Sequence, residues 1–141
     1  MPLIKIWIHA VWTTKYRYPF LTEPFKALVI DHILKNAALK KIEVDCINGY
    51  RDHLHCLIEL RPSQAIADVI HAIKGESAFW INKEQLTEER FAWQSQYYAA
   101  SVSESHLAVV RKYIKNQVQH HQKKDVKLKL MDVKNLLEPE D

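Results

Sequence analysis

Residues 52–59 read Asp52-His53-Leu54-His55-Cys56-Leu57-Ile58-Glu59. Side chains of an extended chain alternate between faces, so Leu54, Cys56, Ile58 and Leu60 point one way, and His53 and His55 point the other. The apolar set has to be covered, and the flanking segments supply the cover. Residues 41–48 form another strand-like run, joined to 53–60 by Gly49-Tyr50-Arg51-Asp52, a short connection that suits an antiparallel hairpin. Upstream, residues 3–14 set Ile4, Ile6, Ile8, Ala10 and Trp12 against Lys5, Trp7, His9 and Val11, which is the period of a strand. A helix is predicted between them. Thr22 is its candidate cap, Glu23 and Pro24 lie in its first turn, and Leu21, Phe25, Leu28, Val29, His32, Ile33 and Asn36 share one side.

Beyond the hairpin, Pro62-Ser63 opens a second helix, with Ile66, Ile70, Ile73, Ser77, Trp80 and Ile81 at helical spacing and Gly75 as a weak point. A strand is expected across 91–102. Ser103 or Ser105 then caps a third helix reaching about His121, with Leu107, Val110, Ile114 and Val118 as its apolar stripe. The order β-α-β-β-α-β is that of a ferredoxin-like α+β fold, an antiparallel sheet with both helices on one face. The first and third strands are then central, and His53 and His55 stand in the middle of a face expected to be open. The third helix is an addition to this plan. Residues 1–122 read as a single domain. Residues 123–141 read as a tail, in which Val126-Lys127-Leu128-Lys129-Leu130 alternates like an edge strand or a partner contact and the last four residues look frayed.

A chain of 141 residues with 48% hydrophobic and 26% charged residues and two glycines fits one compact domain, not a disordered or fibrous chain. Its net charge is +3, and the segment from Lys123 to Asp141 holds five basic and five acidic residues, so the excess sits in residues 1–122. Such a balance permits a phosphate-rich partner without requiring one. The two cysteines, Cys46 and Cys56, lie in strand-like runs, and Met1-Pro2-Leu3-Ile4-Lys5 shows neither a basic leader nor a cleavage site. A reduced, cytoplasmic protein is the expectation. No apolar run approaches the roughly 20 residues that cross a bilayer. A glycine-rich phosphate loop, a paired-cysteine metal motif and a serine nucleophile elbow are also absent from the sequence, which removes most common enzyme classes.

Two residues apart on one strand, His53 and His55 have Cα atoms about 6.6–7 Å from each other, close enough for both rings to converge on one ion about 2.0–2.2 Å from each nitrogen. Paired strand histidines also stack or hydrogen-bond without any metal. On the third helix, Tyr113 and Gln117 are four residues apart and therefore neighbours. Both flank the apolar stripe, where a tyrosine is ordinarily a rim residue and a glutamine ordinarily faces solvent. His120-His121, beside Lys123-Lys124, suits the C-terminus of a helix better than a metal. Lys15, Arg17, Arg51, Lys74, Arg111, Lys112 and Lys115 alternate with Tyr16, Tyr18, Tyr50 and Trp80 and could meet phosphates and bases, although exposed lysines are ordinary on any surface.

Taken together, Asp52-His53-Leu54-His55 and, about sixty residues on, Tyr113 with Gln117 resemble the single-tyrosine HUH transposases of small bacterial insertion sequences, the IS two-hundred type. HUH denotes histidine, bulky hydrophobic residue, histidine. The resemblance covers most of residues 4–122, through Trp12-Thr13-Thr14-Lys15-Tyr16-Arg17, Ile47-Asn48-Gly49, Ile73-Lys74-Gly75, Phe91-Ala92-Trp93-Gln94, Ser101-Val102-Ser103-Glu104-Ser105 and Tyr113-Ile114-Lys115-Asn116-Gln117. It implies a homodimer that cuts and rejoins single-stranded DNA near hairpins through a 5′-phosphotyrosine intermediate. By that resemblance Tyr113 is the nucleophile, His53, His55 and Gln117 ligate a divalent metal, Mg2+ or Mn2+, and the tyrosine helix of one subunit completes the site of the other. Lys15, Arg17 and Lys74 match the family's basic positions and are DNA-contact candidates. The stretch Gln96-Tyr97-Tyr98-Ala99-Ala100 departs from the family pattern, in which a glycine and an aromatic are common. Tyr97 and Tyr98 are rival nucleophiles, but neither has a glutamine four residues downstream. Two alternatives stand beside this reading: a domesticated relative that binds or processes chromosomal hairpin repeats, and a non-catalytic ferredoxin-like RNA-binding module.

Overall fold

The computed structural model describes residues 3–118. Strands β1 (Ile6–Thr13), β2 (Glu43–Tyr50), β3 (His53–Leu60) and β4 (Tyr98–Val102) form one antiparallel sheet in the order β2-β3-β1-β4. Helix α1 (Phe25–Leu39) links β1 to β2, α2 (Ile66–Lys83) links β3 to β4, and α3 (Leu107–Lys115) follows β4. The expected ferredoxin-like order is present, with β1 and β3 central.

One face of the sheet presents Ala10, Trp12, Ile47, Leu54, Cys56 and Ile58 to α1 and α2, where Val29, Ile33, Ala37, Val69, Ile70, Ile73 and Ile81 complete the main core. Each fully buried large apolar side chain contributes roughly 1.5–3 kcal/mol, so this layer carries most of the hydrophobic driving force. Helix α1 starts at Phe25. Pro24 occupies its cap position at φ −87° and ψ −1°, and the carboxylate of Glu23, not the hydroxyl of Thr22, accepts from a first-turn amide, Ala27 N–H, at 3.0 Å.

The hairpin is tighter than the sequence indicates. Strand β2 runs on to Tyr50, which pairs with His53, so Gly49 lies inside the strand opposite Leu54 and only Arg51-Asp52 form the turn. Glycine is needed there because a Cβ would collide with the His53 carbonyl oxygen and lie 2.8 Å from Leu54 Cδ2.

The strand expected across 91–102 is confined to Tyr98–Val102. Residues 91–97 alternate because Phe91 and Trp93 enter the core. Their backbone meets the end of β1, where Gln94 N–H donates to the Thr13 carbonyl and the Ala92 carbonyl accepts from Lys15 N–H, each at 2.9 Å, and side chains claim several of the other groups. Asn82 both donates to the Phe91 carbonyl and accepts from its N–H, each at 2.8 Å. The Lys74 ammonium donates to the carbonyls of Gln94 at 2.6 Å and Gln96 at 3.2 Å.

The second face of the sheet, expected open, is roofed by α3. Leu107 and Ile114 pack on Trp7 and Leu57, with Val110, Tyr113, Cys46 and Val102 at the margin. Two side chains of β2 tie the helix down. A bulge between Val44 and Cys46 frees Asp45, whose carboxylate accepts two bonds at 2.9 Å from the Arg111 guanidinium. Asn48 Nδ2 donates to the Lys115 carbonyl at 2.9 Å, satisfying an acceptor that the helix end leaves open. Helix α3 is interrupted after Lys115, residues 117–118 are helical again, and the expected reach to about His121 lies outside the described residues. Asn116 leaves helical geometry at φ −101° and ψ 28°, which turns Gln117 inward to full burial and leaves Val118 39% exposed, so Val118 drops out of the apolar stripe. His120-His121, the edge strand expected at 126–130 and the tail 123–141 lie outside the described residues.

Candidate active site

Strand register assembles the polar face. Thr13 pairs with His53, Val11 with His55 and His9 with Leu57 across β1 and β3, while Asn48 sits opposite His55 on β2 and Tyr98 opposite Val11 on β4. Paired residues share a face. His9, His53, His55 and Tyr98 therefore lie on the side that α3 covers, and α3 sets Tyr113 against them. The Tyr113 ring is 5.4 Å from His55, edge-on at 80°, and 6.3 Å from His9. His53 and His55 are 5.2 Å apart, centre to centre, at 73°. The sequence-predicted His53, His55 and Tyr113 are thus brought together within one chain, and Gln117 is joined to Tyr113 by a bond from its Nε2 to the Tyr113 carbonyl. Both imidazoles and Gln117 are buried, and Tyr113 is half-buried. Gln117 is not the solvent-facing residue that helical periodicity suggested.

Each histidine is held from behind. Asp52 Oδ1 lies 2.7 Å from His53 Nδ1, and Asp52 Oδ2 accepts from Arg17 Nε at 3.2 Å. Arg17 reaches the turn because Tyr16 and Arg17 both adopt left-handed backbone, φ 56° and 57°, at a cost of about 1–2 kcal/mol per residue. Burial alone would raise the Asp52 carboxyl, but its hydrogen bond to His53 and the charge of Arg17 prevail and hold it below its ordinary value. His55 Nδ1 lies 2.9 Å from His9 Nε2. Burial pushes the His9 imidazole down to about 4, so it is neutral at pH 7. Burial pushes the Tyr113 phenol up, and the Gln117 amide, which favours the phenolate, offsets part of that rise.

A divalent ion is compatible with this donor set. Two imidazoles sharing an ion through nitrogens about 2.0–2.2 Å away have ring centres on the order of 5 Å apart. Gln117 donates from Nε2 to the Tyr113 carbonyl at 3.0 Å, and its Oε1 is buried with no hydrogen-bond partner among the described residues. That is a costly state for a neutral acceptor unless it serves as a ligand. No cluster of three or more His, Cys, Asp or Glu able to hold an ion occurs among the described residues. An ion here would take its protein ligands from the two histidines, with the Gln117 oxygen as the candidate third donor.

The candidate DNA contacts separate. Lys15 is exposed, its ammonium 5.4 Å from the Tyr16 ring centre. Arg17 is engaged with Asp52. Lys74, brought down to about 8 by burial, clamps the 94–96 backbone. It also lines a cleft of about 830 Å³ with His71, Lys83, Arg90 and Phe79, beside α2 and away from the histidines. Three residues of the site had no role in the sequence reading: His9, Asp52 and Asn48. His9 shares strand parity with Trp7 and Val11 and so faces away from the main core, a signal that parity alone gives. That it meets His55 depends on β1–β3 register.

The family described as "Transposase IS200 like" matches residues 3–117. The chain is 33% identical over 114 residues to "ISDra2 transposase TnpA" of Deinococcus radiodurans, covering 77% of this chain and 81% of that protein. It is 25% identical over 120 residues to "Transposase for insertion sequence element IS200" of Salmonella typhimurium, covering 79% and 76% respectively. Among solved structures, a crystal structure of a Deinococcus radiodurans protein described as a transposase superposes with a TM-score of 0.67 and 26% identity, over 82% of this chain and 93% of that one. A REP-associated tyrosine transposase bound to a REP hairpin superposes with a TM-score of 0.54 at 17% identity, over 81% of this chain and 66% of that one, a likeness of fold.

Proposed function

Since the chain belongs to the IS200-like transposases, we propose that it cleaves and rejoins single-stranded DNA at hairpin-bearing element ends, with Tyr113 as nucleophile and His53, His55 and Gln117 as ligands of Mg2+ or Mn2+. The observation that carries this reading is the meeting of the Tyr113 ring with the two strand histidines, 5.4 Å from His55, beneath one helix. Hairpin DNA is the partner named for one neighbour of the same fold, and the basic, aromatic-bearing surface of this chain suits an unpaired strand.

The Tyr113 oxygen attacks phosphorus, the bond from phosphorus to the 3′ oxygen breaks, and the departing 3′-hydroxyl takes a proton. A 5′-phosphotyrosine remains. Attack by another strand's 3′-hydroxyl reverses the step and returns the proton to Tyr113, so no external energy source is needed. When bound, the divalent ion supplies charge withdrawal from the scissile phosphate. The protein's own share is alignment. A phenol raised by burial is almost wholly protonated at pH 7, so its reactivity rests on fixed position and on a proton acceptor within reach. Asp52 and His9 hold the imidazoles, while Asp45 and Asn48 hold the helix that bears the nucleophile.

The decisive experiment is incubation with single-stranded hairpin DNA and Mn2+, followed by denaturing electrophoresis. Wild-type protein yields a covalent adduct and Tyr113→Phe yields none; an adduct formed by Tyr113→Phe refutes the assignment. A chelator abolishes cleavage and Mn2+ or Mg2+ restores it. Exchange of α3 within a homodimer, as the resemblance implies, would place the same tyrosine on the histidines of the other copy. Mixing His53→Ala with Tyr113→Phe protein tests it, because only exchange restores cleavage.

A further inference from the structure

His9 lies in central strand β1 on the histidine face, with Nε2 2.9 Å from His55 Nδ1 and the two rings stacked 5.1 Å apart at 28°. We infer that His9 is a positioning residue, which accepts the Nδ1–H of His55 at its own Nε2 and thereby keeps the lone pair of His55 on Nε2 for a metal ion. This rests on the reading of His53 and His55 as ligands.

A contact of this length between two imidazole nitrogens needs one donor and one acceptor. Were His9 the donor, His55 would carry its proton on Nε2, and that nitrogen could not ligate. With His55 as donor, His9 carries its proton on Nδ1. Asp52 plays the matching part for His53, whose Nδ1 it meets at 2.7 Å. Both imidazoles are thus gripped on the Nδ1 side, the arrangement that fixes ring orientation and tautomer in metal-binding histidines.

The two grips differ for a physical reason. Asp52 stands in the turn before β3, within reach of Arg17. His55 is two residues deeper, fully buried under α3, where an ionised carboxylate would have to be desolvated. A neutral ring offers an acceptor without that cost. His9 is itself wedged edge-on against Tyr98 at 6.4 Å and Tyr113 at 6.3 Å, so its own orientation is fixed by packing.

The first test needs no variant. Long-range 1H–15N correlation spectra of the metal-free full chain at neutral pH should show His55 protonated on Nδ1 and His9 unprotonated on Nε2. His55 protonated on Nε2 would overturn the inference. In a second test, His9→Leu should weaken Mn2+ binding about 10–100-fold, whereas His9→Gln, which retains an acceptor, should stay within about fivefold of wild type. Unchanged Mn2+ affinity in a folded His9→Leu protein would equally overturn it. The expected tautomer in a wild-type protein that binds no Mn2+ would leave the grip of His9 on His55 standing and remove the metal reading of the site.

Discussion

The two faces of this sheet are built on opposite terms. Toward α1 and α2 the strands present apolar side chains that close a continuous core, in which Ser77 accepts from Trp93 Nε1 at 2.9 Å and the Trp12 indole N–H is buried with no partner among the described residues. Toward α3 the apolar cluster is small, and beside it lie three imidazoles, a phenol and a carboxamide whose buried oxygen has no partner among the described residues. The first face gains stability from burial. The second gives up stability by enclosing polar groups in order to orient them, which is the pattern expected of a site that binds and reacts.

Substitutions on the two faces should therefore separate folding from chemistry. The largest effect is that of Tyr113→Phe, which should lower cleavage by about 10³-fold or more while leaving the thermal midpoint close to wild type. Next, Ile58→Ala in the main core should cost about 2–5 kcal/mol in urea unfolding, with adduct formation by the folded fraction little changed. Gly49→Ala should cost about 1–3 kcal/mol through the collision at the His53 carbonyl and, unlike Ile58→Ala, should also reduce cleavage because it displaces a histidine. Asn48→Ala should cost on the order of 1 kcal/mol by freeing the end of α3, read as a several-fold fall in cleavage and faster amide exchange at 112–116.

The smallest effect concerns pH. The Asp52 carboxyl is held below its ordinary 3.8 in the folded chain, so the unfolded state binds more protons over that interval. Its contribution to stability is present above about pH 3.8 and is lost as pH falls through the lower folded value. Asp52→Asn should flatten that acid limb in urea titrations and weaken Mn2+ binding about tenfold. An unchanged acid limb would show that Asp52 is not held by His53 and Arg17 in solution.

Much of this was legible in the chain itself. Alternation along 53–60 separated the histidines from the apolar side chains, and helical spacing placed Ile70, Ile73 and Ile81 in the core. Where the reading fell short, longer-range partners decided. Phe91 and Trp93 alternate like a strand, yet Asn82 and Lys74, on the preceding helix, take up backbone groups that a strand would have used. Gln117 looked solvent-facing because periodicity assumes an unbroken helix, and Asn116 breaks it. His9 passed unnoticed because its partner is 46 residues away.

The sequence by itself determined the fold class and the parity of His53 and His55, because the periods of strands and helices are properties of local backbone geometry. Tertiary structure alone decided that α3 closes over the histidines, that Asp45 and Asn48 hold it there, and that His9 and Asp52 stand behind the imidazoles. Those contacts join residues far apart in the chain, and only strand register and helix docking bring them within bonding distance.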